Sequence, residues 1–172
     1  AIIDKGVMTI KSKGEKKGLS AVLSATTGTA VKAGENTFFE THCYAPIDMM
    51  KPFEIQAKVN IKQLAEDRLV GLVFNYRDGG NFYAFSFNDD FVKFTRYEDN
   101  MIVGDIMQGI KWPGKRRSDM DWHLISDGQT LIFKIDGVSI LTIRHMPLQY
   151  SGFGFYTFGN QELVVDEVEF RQ

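Results

Sequence analysis

Gly71-Leu72-Val73-Phe74-Asn75-Tyr76-Arg77-Asp78-Gly79-Gly80-Asn81-Phe82-Tyr83-Ala84-Phe85 reads as two aromatic-rich runs on either side of a turn signal. Each run alternates with period two, the pattern of a strand with one buried face. A Gly-rich turn between such runs marks a hairpin, because glycine accepts the positive φ that tight turns demand. With Asp78–Asn81 as a four-residue loop, Arg77 falls opposite Phe82, Tyr76 opposite Tyr83, Phe74 opposite Phe85 and Leu72 opposite Phe87. The last three pairs make an apolar face, the expected core. Asn75, Arg77, Phe82, Ala84 and Ser86 occupy the other face.

The pattern continues outward. Past Asp89-Asp90, Val92 and Phe94 join the core side, and Lys93, Thr95 and Tyr97 the opposite one. A three-residue loop ending at Asn100 sets Asp105 across from Lys93. Four adjacent strands then share a face carrying Asn75, Arg77, Phe82, Lys93, Thr95, Tyr97 and Asp105. Water simply wets one face of many antiparallel sheets. A polar face with embedded aromatic rings is also what a sugar-binding groove needs, and both readings stay open here.

Similar runs recur about every ten residues. Strands are expected at Gly6–Lys11, Thr37–Tyr44, Phe53–Ile61, Arg68–Arg77, Phe82–Asn88, Phe91–Tyr97, Met101–Met107, Asp121–Ser126, Gln129–Ile135, Val138–Arg144, Gly152–Phe158 and Leu163–Phe170. With Asp127-Gly128 as a two-residue turn, Trp122 faces Phe133, Leu124 faces Leu131, and His123 points to the other side. The only helix-like stretch, Lys62–Asp67, is one turn at most. Many strands without a long helix imply an all-β, two-sheet antiparallel β-sandwich. No linker or repeat divides residues 1–172, so a single domain is expected.

Composition narrows the function classes. Of 172 residues, 44% are hydrophobic and 24% charged, an ordinary globular balance. Twenty basic and twenty-two acidic side chains give a net charge of -2. That leaves no field to attract nucleic acid. No apolar run approaches the roughly 18 residues of a membrane helix. The single Cys43 excludes an internal disulfide and a multi-cysteine zinc site. His42, His123 and His145 lack metal-ligand spacing, and neighbouring His42 and Cys43 point to opposite faces of one strand, so they make no nucleophile pair. Ala1 is not methionine, and the native start is expected upstream of it.

The hairpin quoted above resembles the central hairpin of concanavalin A-like, laminin G-like jelly rolls. Asp121-Trp122-His123-Leu124 with Leu131-Ile132-Phe133-Lys134-Ile135-Asp136-Gly137 is similar to a second hairpin of that family. Gly152-Phe153-Gly154-Phe155-Tyr156 and Val165-Asp166-Glu167-Val168-Glu169-Phe170 resemble its closing strands. The likeness covers roughly residues 50–172. It implies a curved double sheet whose concave face holds carbohydrate, an exported location in the periplasm or at the cell surface, and in some branches a calcium ion at the rim. Members include lectin modules, glycoside hydrolases and bacterial exported domains related to keto-disaccharide hydrolases.

Hydrolysis by a retaining glycosidase needs two carboxyls about 5–5.5 Å apart. Members that do this resemble the pattern E-x-D-x-E or E-x-D-x-x-E on one concave strand, and this chain has no such run. Its nearest cluster, Asp166-Glu167-Val168-Glu169, places Asp166 on a largely apolar face, a structural position in this family. Asp105 is the remaining candidate acid or base, and Lys93 opposite would hold it ionised. Asp78 and Asn81 are the candidate calcium ligands, although turn formation alone accounts for them. Trp112, beside Pro113 and Gly114, either offers its ring to a sugar or folds back to cap the core. Lys115-Arg116-Arg117 reads as a solvated loop or an anion contact.

The expected function is a non-catalytic, lectin-like domain that requires no cofactor. Tyr97 and Trp112 would stack sugar rings, with Phe82 beside them on the same face. Asn75, Arg77, Lys93 and Asp105 would hydrogen-bond hydroxyls. The alternatives are a glycoside hydrolase-like enzyme with a non-standard site and a structural or protein-interaction domain.

Overall fold

The computed structural model describes residues 2–4, 7–11, 38–44, 48–61, 69–112, 118–144, 148–158 and 162–172, with side chains from residue 48 onward except at 156 and 158. Among them run thirteen strands: β1 (Ile2–Asp4), β2 (Val7–Lys11), β3 (Phe38–Tyr44), β4 (Phe53–Ile61), β5 (Leu69–Asp78), β6 (Asn81–Phe87), β7 (Phe91–Glu98), β8 (Met101–Gly109), β9 (Asp119–Ser126), β10 (Thr130–Ile135), β11 (Val138–Arg144), β12 (Gly152–Phe158) and β13 (Glu162–Arg171). Every expected strand has its counterpart, and only β1 was not anticipated. The Lys62–Asp67 turn lies outside the described residues.

The strands form two antiparallel sheets, a seven-stranded one in the order β1-β2-β13-β4-β9-β10-β11 and a six-stranded one in the order β3-β12-β5-β6-β7-β8. Apolar residues at every second position of β4, β9 and β10 meet Leu72 and Phe74 of β5, Phe85 and Phe87 of β6, and Val92 and Phe94 of β7 in one core. Aromatic rings bridge the layers: Phe85 stacks on Phe133 with centroids 5.2 Å apart, and Phe87 meets Trp122 edge-on at 5.2 Å. The Phe-rich composition is spent here.

Three registers differ from expectation. Phe74 pairs with Tyr83, Leu72 with Phe85 and Val70 with Phe87; the turn keeps the expected register, with Asp78 opposite Asn81, and the shift arises at an irregularity of β5 between Phe74 and Asp78. At the other hairpin Ser126 pairs with Leu131, Leu124 with Phe133 and Trp122 with Ile135, so that turn is four residues long. Its reason is local: the Asp127 carboxylate accepts the backbone N–H groups of Gln129 and Thr130 and holds the chain open. Across β7 and β8, Asp105 pairs with Thr95 and Met107 with Lys93, with an irregularity at Arg96/Tyr97. Away from the irregularities each slip is by two residues and keeps side chains on their expected faces; at the start of β8 it is by one, with Glu98 opposite Met101 and Tyr97 opposite Ile102.

One irregularity is different. β5 bulges between Phe74 and Asp78, with Asn75 at φ 48°. Against β12 this inserts one residue between Val73 and Tyr76, which returns Tyr76 to the face of Val73, away from the core where it was expected. Gly152 of β12 lies against this bulge, where an added Cβ would stand 2.7 Å from the Tyr76 carbonyl oxygen. Only glycine fits so close an approach.

Candidate functional site

The outer face of the six-stranded sheet, turned away from the core, is built in rows. Gly154, Val73, Ala84, Thr95 and Asp105 align across β12, β5, β6, β7 and β8. Beside them Gly71, Ser86, Lys93 and Met107 form a second row. Small residues therefore pave the middle. Tyr76, Phe82 and Tyr97 stand along one side, with Phe82 and Tyr97 stacked at 4.5 Å and Tyr76 6.3 Å from Phe82.

Accessibility across this face is uneven. Val73, Tyr76, Phe82, Ala84, Ser86 and Thr95 are buried, whereas the β7–β8 flank reaches solvent. There Lys93 Nζ lies 2.8 Å from Asp105 Oδ2, with side chains 25% and 40% exposed. The expected cross-strand pair thus forms, but along the diagonal. Half-buried Tyr97 stands beside it. Burial pushes the Tyr97 phenol above its usual value, Lys93 opposing and Asp105 adding to the shift. Its hydroxyl stays protonated at neutral pH and can donate a hydrogen bond.

Of the seven residues expected to bind a ligand, Phe82, Lys93, Tyr97 and Asp105 come together. The other three have separate roles. Asn75 is buried, and its Oδ1 accepts the N–H groups of both Gln149 and Tyr150 at 2.8 Å. Arg77, displaced by the bulge, lies over the Tyr150 ring at 5.6 Å and beside Asp78 at 3.6 Å. Trp112 takes the second of its expected positions. Its ring meets Phe87 edge-on at 5.8 Å and its indole N–H donates to the Asp89 carbonyl at 2.9 Å, so it caps the core. Trp112→Ala will therefore lower unfolding stability by about 2 kcal/mol, as loss of a half-buried aromatic does, and leave glycan affinity unchanged. Denaturant unfolding and a glycan titration of the variant check both halves.

Asp78 and Asn81 serve their turn: Asp78 Oδ1 accepts from Gly80 N–H and Asn81 Nδ2, and Asn81 Oδ1 accepts from Asp99 N–H. Among the described residues no cluster of three or more His, Cys, Asp or Glu side chains could hold a metal ion. Asp166 is exposed at the Val165/Glu167 irregularity of β13. In β3, His42 and Cys43 are register partners of Gly154 and Phe153. His145 and Lys115-Arg116-Arg117 lie outside the described residues.

The outer face of the seven-stranded sheet carries a depression of about 280 Å³. There Lys58 pairs with Glu167 at 2.5 Å, and His123 with Glu54 at 3.2 Å and Gln56 at 3.5 Å.

Comparison with solved structures meets the same two-sheet arrangement repeatedly. A legume lectin-like domain from Entamoeba histolytica superposes with a TM-score of 0.61 at 12% identity, over 99% of this chain and 86% of its own. The fold is the concanavalin A-like jelly roll. A carbohydrate binding module from Bacillus subtilis shares this jelly roll at a TM-score of 0.54 and 14% identity, over 97% of this chain and 96% of its own. A toad ovary galectin, solved in complex with thio-digalactose, shares it at 0.57 and 11%, over 77% and 98%. No protein-family profile and no curated protein sequence matches the chain. In this jelly roll no helix is long and apolar enough to cross a membrane, among the described residues.

The residues missed from sequence are Tyr76 and Tyr150. Asn75 carried the signal for the first, since Asn tolerates left-handed backbone where the large strand formers around it do not. Nothing local to Tyr150 announces its contact with Arg77, which spans 73 positions.

Proposed function

We propose that this chain is a non-catalytic carbohydrate-binding domain whose site is the β7–β8 flank of the six-stranded sheet. The observation that carries the reading is the solvent-reached Lys93–Asp105 pair at 2.8 Å beside the Tyr97 ring. An ammonium donor and a carboxylate acceptor at that spacing can bridge neighbouring hydroxyls of one sugar. Tyr97, backed by Phe82, offers a ring edge and a phenol hydroxyl to the same unit.

Binding is favoured over hydrolysis because the neighbours of Asp105 on this face, Thr95, Lys93 and Met107, bring no second carboxylate. The lectin, the carbohydrate binding module and the galectin with thio-digalactose lend support by fold. No metal is required in this reading, since Lys93 and Asp105 supply donor and acceptor. Export to the periplasm or cell surface goes with it.

A screen of neutral and charged glycans, with and without EDTA, tests the proposal. A hit is expected that EDTA does not disturb. Asp105→Ala and Lys93→Ala should each weaken it about 10- to 100-fold, the range of a charge-assisted hydrogen bond. Silence across the panel, or equal affinity in both variants, would overturn the assignment.

A further inference from the structure

We propose that a second binding site lies where β5 ends and β12 begins, built on Arg77 and Tyr150 and shaped for a small monocarboxylate with a flat apolar body. The site is separate from the β7–β8 flank, and the inference does not rest on the glycan reading.

A depression of about 370 Å³ opens there between the 48–51 and 148–151 segments. Both segments are pinned from below, since Met49 and Leu148 are buried in the core. They are also tied at the backbone. Asn75 Oδ1 accepts the N–H groups of Gln149 and Tyr150, and Gln172 Nε2 donates to the Asp48 carbonyl at 2.6 Å. The walls are thus set before a ligand arrives, which lowers the ordering cost of binding.

Arg77 is the group that these walls present. Its guanidinium lies over the Tyr150 ring at 5.6 Å, a cation–π contact that fixes the fork in place. Its polar contacts are long: the Tyr150 hydroxyl stands at 3.5 Å and the Asp78 carboxylate at 3.6 Å. Both lie past the reach of a good N–H···O bond. Five N–H donors are therefore held in position and barely spent, on a side chain 58% exposed. The neighbouring carboxylates already have donors. Asp78 Oδ1 accepts from Gly80 N–H and Asn81 Nδ2, and Asp48 takes the Met50 N–H at 3.1 Å and Lys51 Nζ at 3.4 Å.

The ligand class follows from what lines the depression. A planar fork matches the two oxygens of a carboxylate and pairs with them bidentately. Arg77 is the one cation lining it among the described residues, and Asp48 lines it too. A phosphate dianion would lack a second positive partner and face that carboxylate. Tyr76, Tyr150 and Met50, the last 65% exposed at the rim, supply ring and thioether contacts for a flat apolar body.

Benzoate is the probe, with benzamide as its neutral isostere and inorganic phosphate as a second anion, each followed by backbone amide and arginine Nε–H resonances. Benzoate should give saturable shifts at Arg77, Gln149, Tyr150 and Ser151 with a Kd of about 1 mM or below, within reach of so small a ligand. Benzamide and phosphate should bind at least about 10-fold more weakly, and Arg77→Lys, which keeps the charge but loses the fork, should weaken benzoate about 10-fold. The benzamide comparison needs no variant and decides even where Arg77→Lys fails to fold. No saturable shift at these residues, benzamide or phosphate binding as well as benzoate, or unchanged affinity in folded Arg77→Lys would overturn the proposal.

Discussion

Replacing Phe85 by alanine will destabilise the fold by about 3–5 kcal/mol, the range for deleting a fully buried phenylalanine. Its ring is the junction of the two sheets. It lies 5.6 Å from Phe74, 5.2 Å from Phe94 and 5.2 Å from Phe133 of the facing sheet. None of these rings can collapse into the vacated space without leaving its own stack, so the cavity term adds to the lost burial. Urea unfolding should show a lower midpoint at an unchanged slope. A loss under about 1 kcal/mol would mean that the aromatic layer relaxes, contrary to the packing described.

Asn75→Ala will cost about 2–4 kcal/mol, far more than a polar residue on a wetted sheet face would. Two effects combine. The substitution removes the acceptor of two backbone N–H groups, those of Gln149 and Tyr150. It also places a β-carbon residue without asparagine's left-handed tolerance at φ 48°. Asn75→Gly separates the effects: it relieves the backbone but still loses the acceptor, and should fall between wild type and alanine. Equal stability of all three proteins would contradict the structural role. Glycan affinity should follow neither substitution, because the side chain is committed to the 149–150 backbone.

These two residues show why the fold was easier to read than the site. Phe85 was legible because period two assigns faces, and slips of two residues preserve them. The slip that the β5 irregularity brings against β6 and the wrong loop length at Asp127-Gly128 therefore left the core intact. Loop length itself was hidden in side-chain hydrogen bonds such as those of Asp127. Asn75 was misread because it lies where β5 gains one residue against β12 between Val73 and Tyr76, an odd step that exchanges faces there. Tyr76 moved outward with it and Arg77 left the face. Lys93, Tyr97 and Asp105, carried on strands whose faces were read correctly, stayed together. Trp112 depended on a contact with the Asp89 carbonyl across 23 positions, which no local pattern announces.

The central claim is best tested by following backbone amide resonances while the glycan found in the screen is added. The account predicts shifts concentrated at Lys93, Thr95, Tyr97 and Asp105, lost in Asp105→Ala. Shifts centred instead on Gln56, Lys58 and His123 of the other sheet, or none at saturating glycan, would contradict it.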